Sequence, residues 1–257
     1  MKSESTISST HAVYLFYTSA IKFDGDGLST TPTALLRVLR LLKYRPDIDG
    51  LRAIAVMSVV LFHLDVPGFE GGYVGVDIFF VISGYLITSI IQHKHENHKF
   101  EFTDFYSRRI RRLVPPLIVT VAATMAAGAF VMTPYDLSNL SRSSVAALFS
   151  LSNIVFYLES GYWDTASELK PLLHTWSLGV EEQFYLFWPA VIIGLLSIQR
   201  YISFGTSLAT LSVLGAALCV GYMTIDQSAA FYLLPFRVFQ FSVGASLIPL
   251  MAMLVSR

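Results

Sequence analysis

Long apolar stretches recur along this chain of 257 residues, and they constrain its fold more than any other feature. A membrane-spanning helix needs about 20 predominantly apolar residues, because lipid offers no partners to unpaired backbone groups. Stretches that approach this length lie at about 51–66, 74–92, 113–132, 142–158, 183–199, 204–225 and 230–254. The sequence therefore predicts an all-α fold, a polytopic transmembrane helix bundle with about seven spans in this chain.

Composition excludes several alternatives to a membrane protein. Hydrophobic residues make up 54% of the chain and charged residues 14%, whereas a soluble domain carries about 25% charged residues. The formal net charge is zero, so no basic field indicates a nucleic-acid partner. The single cysteine, Cys219, lies in an apolar run and is expected in the core. No Cys/His spacing predicts a metal site.

The Lys and Arg residues predict orientation and domain boundaries. They concentrate in residues 37–45 and 94–112, and both regions lie on the same side if the first two spans form a hairpin. Basic loops favour the cytoplasm, so the N-terminus is predicted to be cytoplasmic. Residues 1–43 are predicted to be a leader without a cleavable signal peptide, either poorly ordered or amphipathic on the membrane surface. Residues 44–257 are predicted to form the membrane domain.

The stretch "LRAIAVMSVVLFHL" (51–64) carries two ionisable side chains, Arg52 and His63. Eleven residues of helix bring them to within about 20° of one face, roughly 16 Å apart. Ionisable groups within a membrane usually face the interior of the bundle and mark function. The alternatives are that Arg52 extends to the interface and that His63 is an interfacial histidine near a helix end.

The stretch "GGYVGVDIFFVISGYLI" (71–87) sets Asp77 among apolar residues. Asp77 is either a first-turn carboxylate favoured by the helix dipole or a functional group inside the span. Ser83 and Gly84 interrupt the apolar run and are predicted to allow the close approach of another helix.

The stretch "FYSRRIRRLVPP" (105–116) holds four arginines just before an apolar helix, with Pro115 and Pro116 expected near its start. One interpretation is an ordinary cytoplasmic anchor. The other is a clamp for the phosphates of a donor, because Arg109 and Arg112 share a face at i, i+3 and guanidinium groups bind phosphate in a bidentate manner.

The stretch "LLHTWSLGVEEQFYLFWPA" (172–190) sets Glu181 and Glu182 at the expected mouth of an aromatic-rich span. Trp176 and the other aromatic residues suit an interfacial belt. A buried carboxylate here could instead orient or charge a histidine, as in acyl-transfer sites.

Four stretches in this order resemble the membrane acyltransferase 3 family, in particular bacterial surface-polysaccharide and peptidoglycan O-acetyltransferases. They are "YRPDIDGLRAIAVMSVVLFH" (44–63), "GGYVGVDIFFVISGYLITS" (71–89), "FYSRRIRRLVPP" (105–116) and "PLLHTWSLGVEEQFYLFWP" (171–189). The resemblance implies an Arg-x10-His motif at Arg52 and His63, with the histidine essential for acyl transfer. It also implies an acyl-CoA-associated arginine pair at Arg109 and Arg112 and a functional carboxylate at Glu182.

The same resemblance implies the reaction and its partners. The donor substrate is acyl-CoA, in particular acetyl-CoA, and no cofactor is bound permanently. The acceptor is a hydroxyl of a lipid-linked or extracytoplasmic glycan, such as lipopolysaccharide or peptidoglycan, at the inner (plasma) membrane among its lipids. Further candidate site residues are Asp77, Ser83, Glu181 and Trp176. Family membrane domains have more spans than seven and often carry an SGNH hydrolase-like domain, so the chain is expected to be C-terminally incomplete.

Two other classes of function remain open on the sequence. A transporter or a proton or anion relay would also use intramembrane ionisable residues, although it predicts inverted repeats that are not evident. A structural membrane subunit accounts for the spans but not for His63 together with Glu182. The count of spans puts His63 and Glu182 toward opposite sides of the membrane. We therefore expect residues 159–182 to fold into the bundle, the alternative being that the fourth stretch is not a span.

Overall fold

The computed structural model describes residues 46–160 and 170–255, and within these ranges the chain forms helices and their connections without a β-strand. The all-α prediction is confirmed. The predicted leader, residues 1–43, lies outside the described residues. The helices are α1 (Pro46–His63), α2 (Gly75–Glu96), α3 (Phe102–Val131), α4 (Pro134–Leu148), α5 (Ser152–Glu159), α6 (Thr175–Ser197), α7 (Phe204–Met223), α8 (Gln227–Tyr232) and α9 (Leu234–Val255).

Four helical segments among the described residues are long and apolar enough to cross a membrane. They are Gly72–Glu96, Phe102–Val131, Phe204–Met223 and Gln227–Leu254. The predicted count of seven spans is therefore not confirmed. Charged residues dilute the other long helices, since α1 carries three in its first two turns and α6 carries two adjacent glutamates.

The predicted fourth span, residues 142–158, is wrong as a single helix. Two shorter helices, α4 and α5, occupy this part of the chain, and they are separated at residues 149–151. Ser150 adopts a φ of 58°, a left-handed conformation that an α-helix cannot continue through. The first of these helices begins at a capped turn, in which the Thr133 side chain accepts a hydrogen bond from the backbone N–H of Asp136.

Helices α2 and α6 pack side by side and run in the same direction. The rings of Phe80 and Trp176 lie 6.3 Å apart at one level. Further along in the same direction, eight residues later on α2 and twelve later on α6, Trp188 Nε1 donates to Thr88 Oγ1 at 2.7 Å. This parallel arrangement follows from the broken fourth stretch, because α4 and α5 do not form one continuous helix between α3 and α6.

Glycines let α9 pack directly on the backbone of α2. A Cβ built on Gly84 would lie 2.0 Å from the carbonyl oxygen of Phe241, and one built on Gly244 would lie 1.9 Å from that of Val81. Real non-bonded atoms do not approach this closely, so both positions require glycine. The predicted close approach at Ser83 and Gly84 is confirmed.

An aromatic core fills the space among α2, α6 and α9. The rings of Phe184 and Phe241 stack with centroids 3.9 Å apart, and Phe80 stacks on Phe241 at 4.8 Å. Cys219 is buried, as expected, between α7 and the start of α9. By contrast, outward apolar side chains such as Phe130, which is 90% exposed, cover the far end of α3. Such an apolar surface suits contact with lipid.

The two prolines of α3 do not lie near its start as predicted. The helix begins at Phe102 and continues through Pro115 and Pro116 to Val131. Each proline removes one backbone hydrogen bond, which the rest of a 30-residue helix tolerates. The arginines at 108–112 therefore lie on α3 itself and not ahead of it.

The Trp188–Thr88 hydrogen bond provides a test of the α2–α6 packing. Thr88→Val should lower the free energy of unfolding by about 1–3 kcal/mol, because it leaves the buried indole N–H without an acceptor. Thermal unfolding of the purified protein in detergent measures the effect. Thr120→Val is the control, since the Thr120 hydroxyl is exposed and bonds only to the Pro116 carbonyl of its own helix. Equal stability of the two variants would contradict this packing.

Candidate functional site

A buried carboxylate lies at the centre of the α2–α6 interface. Ser83 Oγ donates to Glu181 Oε1 at 2.5 Å, and the Tyr185 hydroxyl donates to the same oxygen. Glu181 and Tyr185 share a face of α6 because they are four residues apart. The helix starts earlier than the predicted stretch 183–199, since α6 begins at Thr175 and Glu181 lies inside it.

Arg109 approaches this carboxylate from α3. Its guanidinium lies over the ring of Tyr185, 4.4 Å from the centroid, and 5.6 Å from that of Phe105. The positive charge of Arg109 also attracts the carboxylate of Glu182, whereas the carboxylate of Glu181 repels that of Glu182. Glu182 Oε1 is buried and accepts no hydrogen bond from the described part of the chain. We call Ser83, Arg109, Glu181, Glu182 and Tyr185 the carboxylate cluster.

The two arginines of the predicted phosphate clamp have different surroundings. Arg109 is half-buried against α6, whereas Arg112, one turn further along α3, is exposed. Arg108 forms an ion pair with Asp104, which also binds Lys94 at 2.9 Å. The arginine stretch therefore presents one side chain to the interior and the others outward.

A second polar group lies near the start of α2. Asp77 Oδ1 accepts hydrogen bonds from Arg237 Nη1 at 3.0 Å and from Gln240 Nε2 at 2.7 Å, both on α9. The Arg237 guanidinium lies 5.7 Å from the ring centroid of Trp176. We call Asp77, Trp176, Arg237 and Gln240 the end cluster. Asp77 is thus both a first-turn carboxylate, as one interpretation predicted, and one half of an ion pair.

Arg237 and Gln240 were missed from the sequence. The available signal was an arginine in the apolar run "FYLLPFRVFQF" (231–241), which the rule for intramembrane charges marks as functional. Nothing in the sequence indicated that its partner would be Asp77, 160 residues earlier.

His63 is the last residue of α1, and its ring is exposed, 5.2 Å from that of Phe62. It interacts electrostatically with His174, which directly precedes α6 and was also missed from the sequence. Partial desolvation lowers the pKa of His174 below its ordinary value of 6.5. A hydrogen bond to the Pro171 carbonyl opposes the shift, and the nearby His63 adds to it. The neutral form of His174 is therefore favoured at neutral pH.

Arg52 lies away from His63 along α1. Its guanidinium is 4.8 Å from the ring centroid of Phe79 on α2. Gly72 and Gly75 approach the backbone of α1 at Ser58 and Ala55, so α1 runs antiparallel to the beginning of α2. Arg52 therefore lies beside a later part of α2 than His63 does, and the two side chains are not in contact.

The predicted site residues thus fall into separate groups. The structure brings together Ser83, Arg109, Glu181 and Glu182, and it brings Asp77 to Trp176 through Arg237. The first turns of α6 pack within the bundle, as expected for the end of the 159–182 segment, whereas residues 161–169 lie outside the described residues.

Comparison with known proteins identifies a family model that covers almost all of the described region and relatives that cover a large part of it. A family model for an acyltransferase domain, Acyl_transf_3, matches residues 45–256. The chain is 43% identical over 153 residues to the peptidoglycan O-acetyltransferase OatA of Listeria monocytogenes, covering 59% of this chain and 24% of that protein. It is 35% identical over 193 residues to the O-acetyltransferase OatA of Staphylococcus aureus, and the match covers 74% of this chain and 32% of that protein.

The Bacillus subtilis protein YrhL is 36% identical over 211 residues, covering 80% of this chain and 33% of that protein. The chain thus spans about a quarter to a third of the length of these relatives. No solved structure has a significant match to it. The matched residues include the carboxylate cluster, the end cluster, Arg52 and His63. This match shows that the chain belongs to the membrane acyltransferase 3 family.

Proposed function

We propose that this chain is the membrane part of an O-acyltransferase that moves an acetyl group from acetyl-CoA to a hydroxyl of a cell-surface glycan. The names of its relatives support acetyl transfer and a peptidoglycan acceptor. The observation that carries the proposal is the carboxylate cluster, in which Tyr185 lies between the buried Glu181 and the guanidinium of Arg109. Charged groups in such surroundings are costly and usually functional.

Polar groups are distributed along α2 from its middle to its first turn. Ser83 belongs to the carboxylate cluster, and Asp77, about 9 Å nearer the start of the helix, belongs to the end cluster. Beyond it, the first residues of the α2 segment pack against the last turns of α1, which ends at His63. These groups would form a polar route along which an acyl donor and a hydroxyl acceptor meet.

In this proposal acetyl-CoA enters from the cytoplasmic side, at the end where α2 and α3 are joined. Arg112 is exposed and available for the donor phosphates, and Arg109 links the donor to the carboxylate cluster. Guanidinium groups bind phosphate oxygens through paired N–H donors. The thioester would then extend into the bundle toward His63, with Arg52 on the same helix supporting it.

His63 serves as the general base, or as a transient carrier of the acyl group. As base, it removes the proton of the acceptor hydroxyl while the oxygen attacks the thioester carbonyl. The carbon–sulfur bond breaks, and the thiolate of coenzyme A leaves and takes the proton back. The exposed ring of His63 leaves its nitrogen atoms accessible for this step.

Substitutions of Arg109 and Arg112 should change different kinetic constants. Arg112→Ala should raise the KM for acetyl-CoA by at least about tenfold without changing kcat, since a charge-assisted hydrogen bond contributes about 1.5–3 kcal/mol. Arg109→Ala should raise KM and also lower kcat, because Arg109 contacts Tyr185 and attracts Glu182. Initial rates in membrane vesicles measure both constants. Arg142→Ala, at an exposed arginine of α4, is the control.

The test of the function itself is transfer of labelled acetyl from acetyl-CoA to glycan by vesicles that contain the protein. Label should appear on the glycan as an alkali-labile ester. Vesicles that leave acetyl-CoA intact and the glycan unlabelled would overturn the proposal. Altered membrane orientation of the two arginine variants with unchanged KM would assign these arginines to anchoring alone.

A further inference from the structure

The end cluster contains a buried acceptor that no described group satisfies. The Gln240 side chain donates through Nε2 to Asp77 Oδ1 at 2.7 Å, and the residue is 5% exposed. Its Oε1 is buried and accepts no hydrogen bond from the residues that the structure describes. An unsatisfied buried acceptor destabilises a fold, because burial removes the water that would otherwise donate to it. A binding site explains such an atom, because a ligand would supply the donor.

The orientation of this amide is determined by its neighbour. Exchange of the nitrogen and oxygen of Gln240 would direct its carbonyl oxygen at the Asp77 carboxylate, and two acceptors would then face each other. The nitrogen therefore faces Asp77, and the unsatisfied atom is the oxygen.

Asp77 and Arg237 add further hydrogen-bonding capacity. Both described bonds to Asp77 end on Oδ1, and its side chain is 37% exposed. Arg237 uses Nε for the Phe231 carbonyl at 2.9 Å and Nη1 for Asp77. Within the described ranges, Asp77 Oδ2 and Arg237 Nη2 form no hydrogen bond. The cluster thus offers two acceptors and one donor to a ligand.

The charges and rings of the cluster favour a neutral ligand. The positive charge of Arg237 balances the negative charge of Asp77, so neither an anion nor a cation is preferred. A hydroxyl both donates and accepts, which matches the atoms on offer. The ring of Phe231, 41% exposed and 4.5 Å from that of Trp176, provides an aromatic face for an apolar ring surface. Sugars combine these features.

We propose that Asp77, Arg237 and Gln240, with the ring of Phe231, bind a sugar ring of the acceptor glycan through its hydroxyls. This assignment rests on the proposed function for the identity of the glycan as acceptor. Asp77 lies in the first turn of α2, and Gly72, three residues before the start of this helix, packs against the last turns of α1. The sugar would therefore bind near the end of the bundle that carries His63.

The experiment measures binding of a soluble peptidoglycan disaccharide to the purified protein in lipid nanodiscs by calorimetry. Gln240→Met removes the amide and keeps its volume, and Phe231→Ala removes the exposed ring. Each variant should weaken binding at least tenfold, and the O-methylated disaccharide, which lacks hydroxyl donors, should bind the wild type equally weakly. Phe130→Ala, at an exposed aromatic residue of α3, should bind as the wild type does.

Undiminished affinity in both Gln240→Met and Phe231→Ala would overturn the subsite, as would undiminished affinity for the O-methylated sugar. A lower unfolding temperature of Gln240→Met with unchanged affinity would assign the cluster to helix packing alone. The binding experiment and the transfer experiment test different proposals. A protein that binds the disaccharide but transfers no acetyl group would disprove the proposed function and still support the sugar-binding site.

Discussion

Replacement of His63 with alanine is expected to lower acetyl transfer by about 10²- to 10⁴-fold, the range typical for loss of a general base. The imidazole has no structural role that would confound the result, because its ring is exposed and contacts only the neighbouring ring of Phe62 among the described aromatic residues. The folded protein should therefore accumulate normally. Transfer of labelled acetyl from acetyl-CoA in vesicles, normalised to the amount of folded protein, measures the loss.

Two other histidines define the specificity of this result. His95→Ala, in the last turn of α2 and therefore at the far end of that helix, should retain full transfer. His174→Ala should lower transfer less than His63→Ala, since His174 interacts with His63 only electrostatically in the structure. Full activity of His63→Ala would reject the role of this residue. An equal loss in the variants of His63 and His174 would instead assign catalysis to the pair.

Alanine at Gly84 or Gly244 is expected to destabilise the bundle by at least about 3 kcal/mol, the upper part of the range for overpacked positions. A methyl group at either position would overlap a backbone carbonyl oxygen of the facing helix, at 2.0 Å and 1.9 Å respectively. Backbone atoms cannot move aside as a flexible side chain can, so α2 and α9 must separate. Separation would also break the Asp77–Arg237 ion pair.

Thermal unfolding in detergent and the yield of folded protein in membranes measure this effect. Gly194→Ala in α6 and Gly221→Ala in α7 are matched controls, because a Cβ at either position meets no atom within 4 Å. Alanine favours helix over glycine by up to about 1 kcal/mol, so the controls should be as stable as the wild type or slightly more stable. Wild-type stability of Gly84→Ala and Gly244→Ala would show that the two helices do not cross here.

Much of the site could be predicted from local sequence because charges in apolar runs are rare. Asp77 stood out for this reason, Arg109 as part of an arginine-rich stretch and Glu181 beside an aromatic-rich run. Each lies in the interior or at a helix interface. Prediction failed where a side chain's importance comes from a distant partner. Arg237 had the same local signal as Asp77 but belonged to none of the recognised stretches.

Element boundaries were predicted less well than element type. The apolar run began after Glu182, yet α6 begins at Thr175, because polar residues facing other helices can be accommodated inside a bundle. In α3 the arginines also lie within the helix, where Arg109 packs against Tyr185 of α6 and the other three are exposed. In the fourth stretch, hydropathy alone could not reveal the left-handed residue Ser150 that separates α4 from α5.

Local patterns of residues were sufficient to predict a helical chain rich in apolar segments, and four motifs were sufficient to indicate the acyltransferase 3 family. Periodicity and spacing are local properties, so they can be read without the fold. The packing of the helices was needed to show which polar groups meet: Ser83 with Glu181, Arg109 with Tyr185, and Asp77 with Arg237. These pairs join helices that are far apart in the chain. Their contacts depend on how side chains and glycines pack between helices, which no single segment specifies.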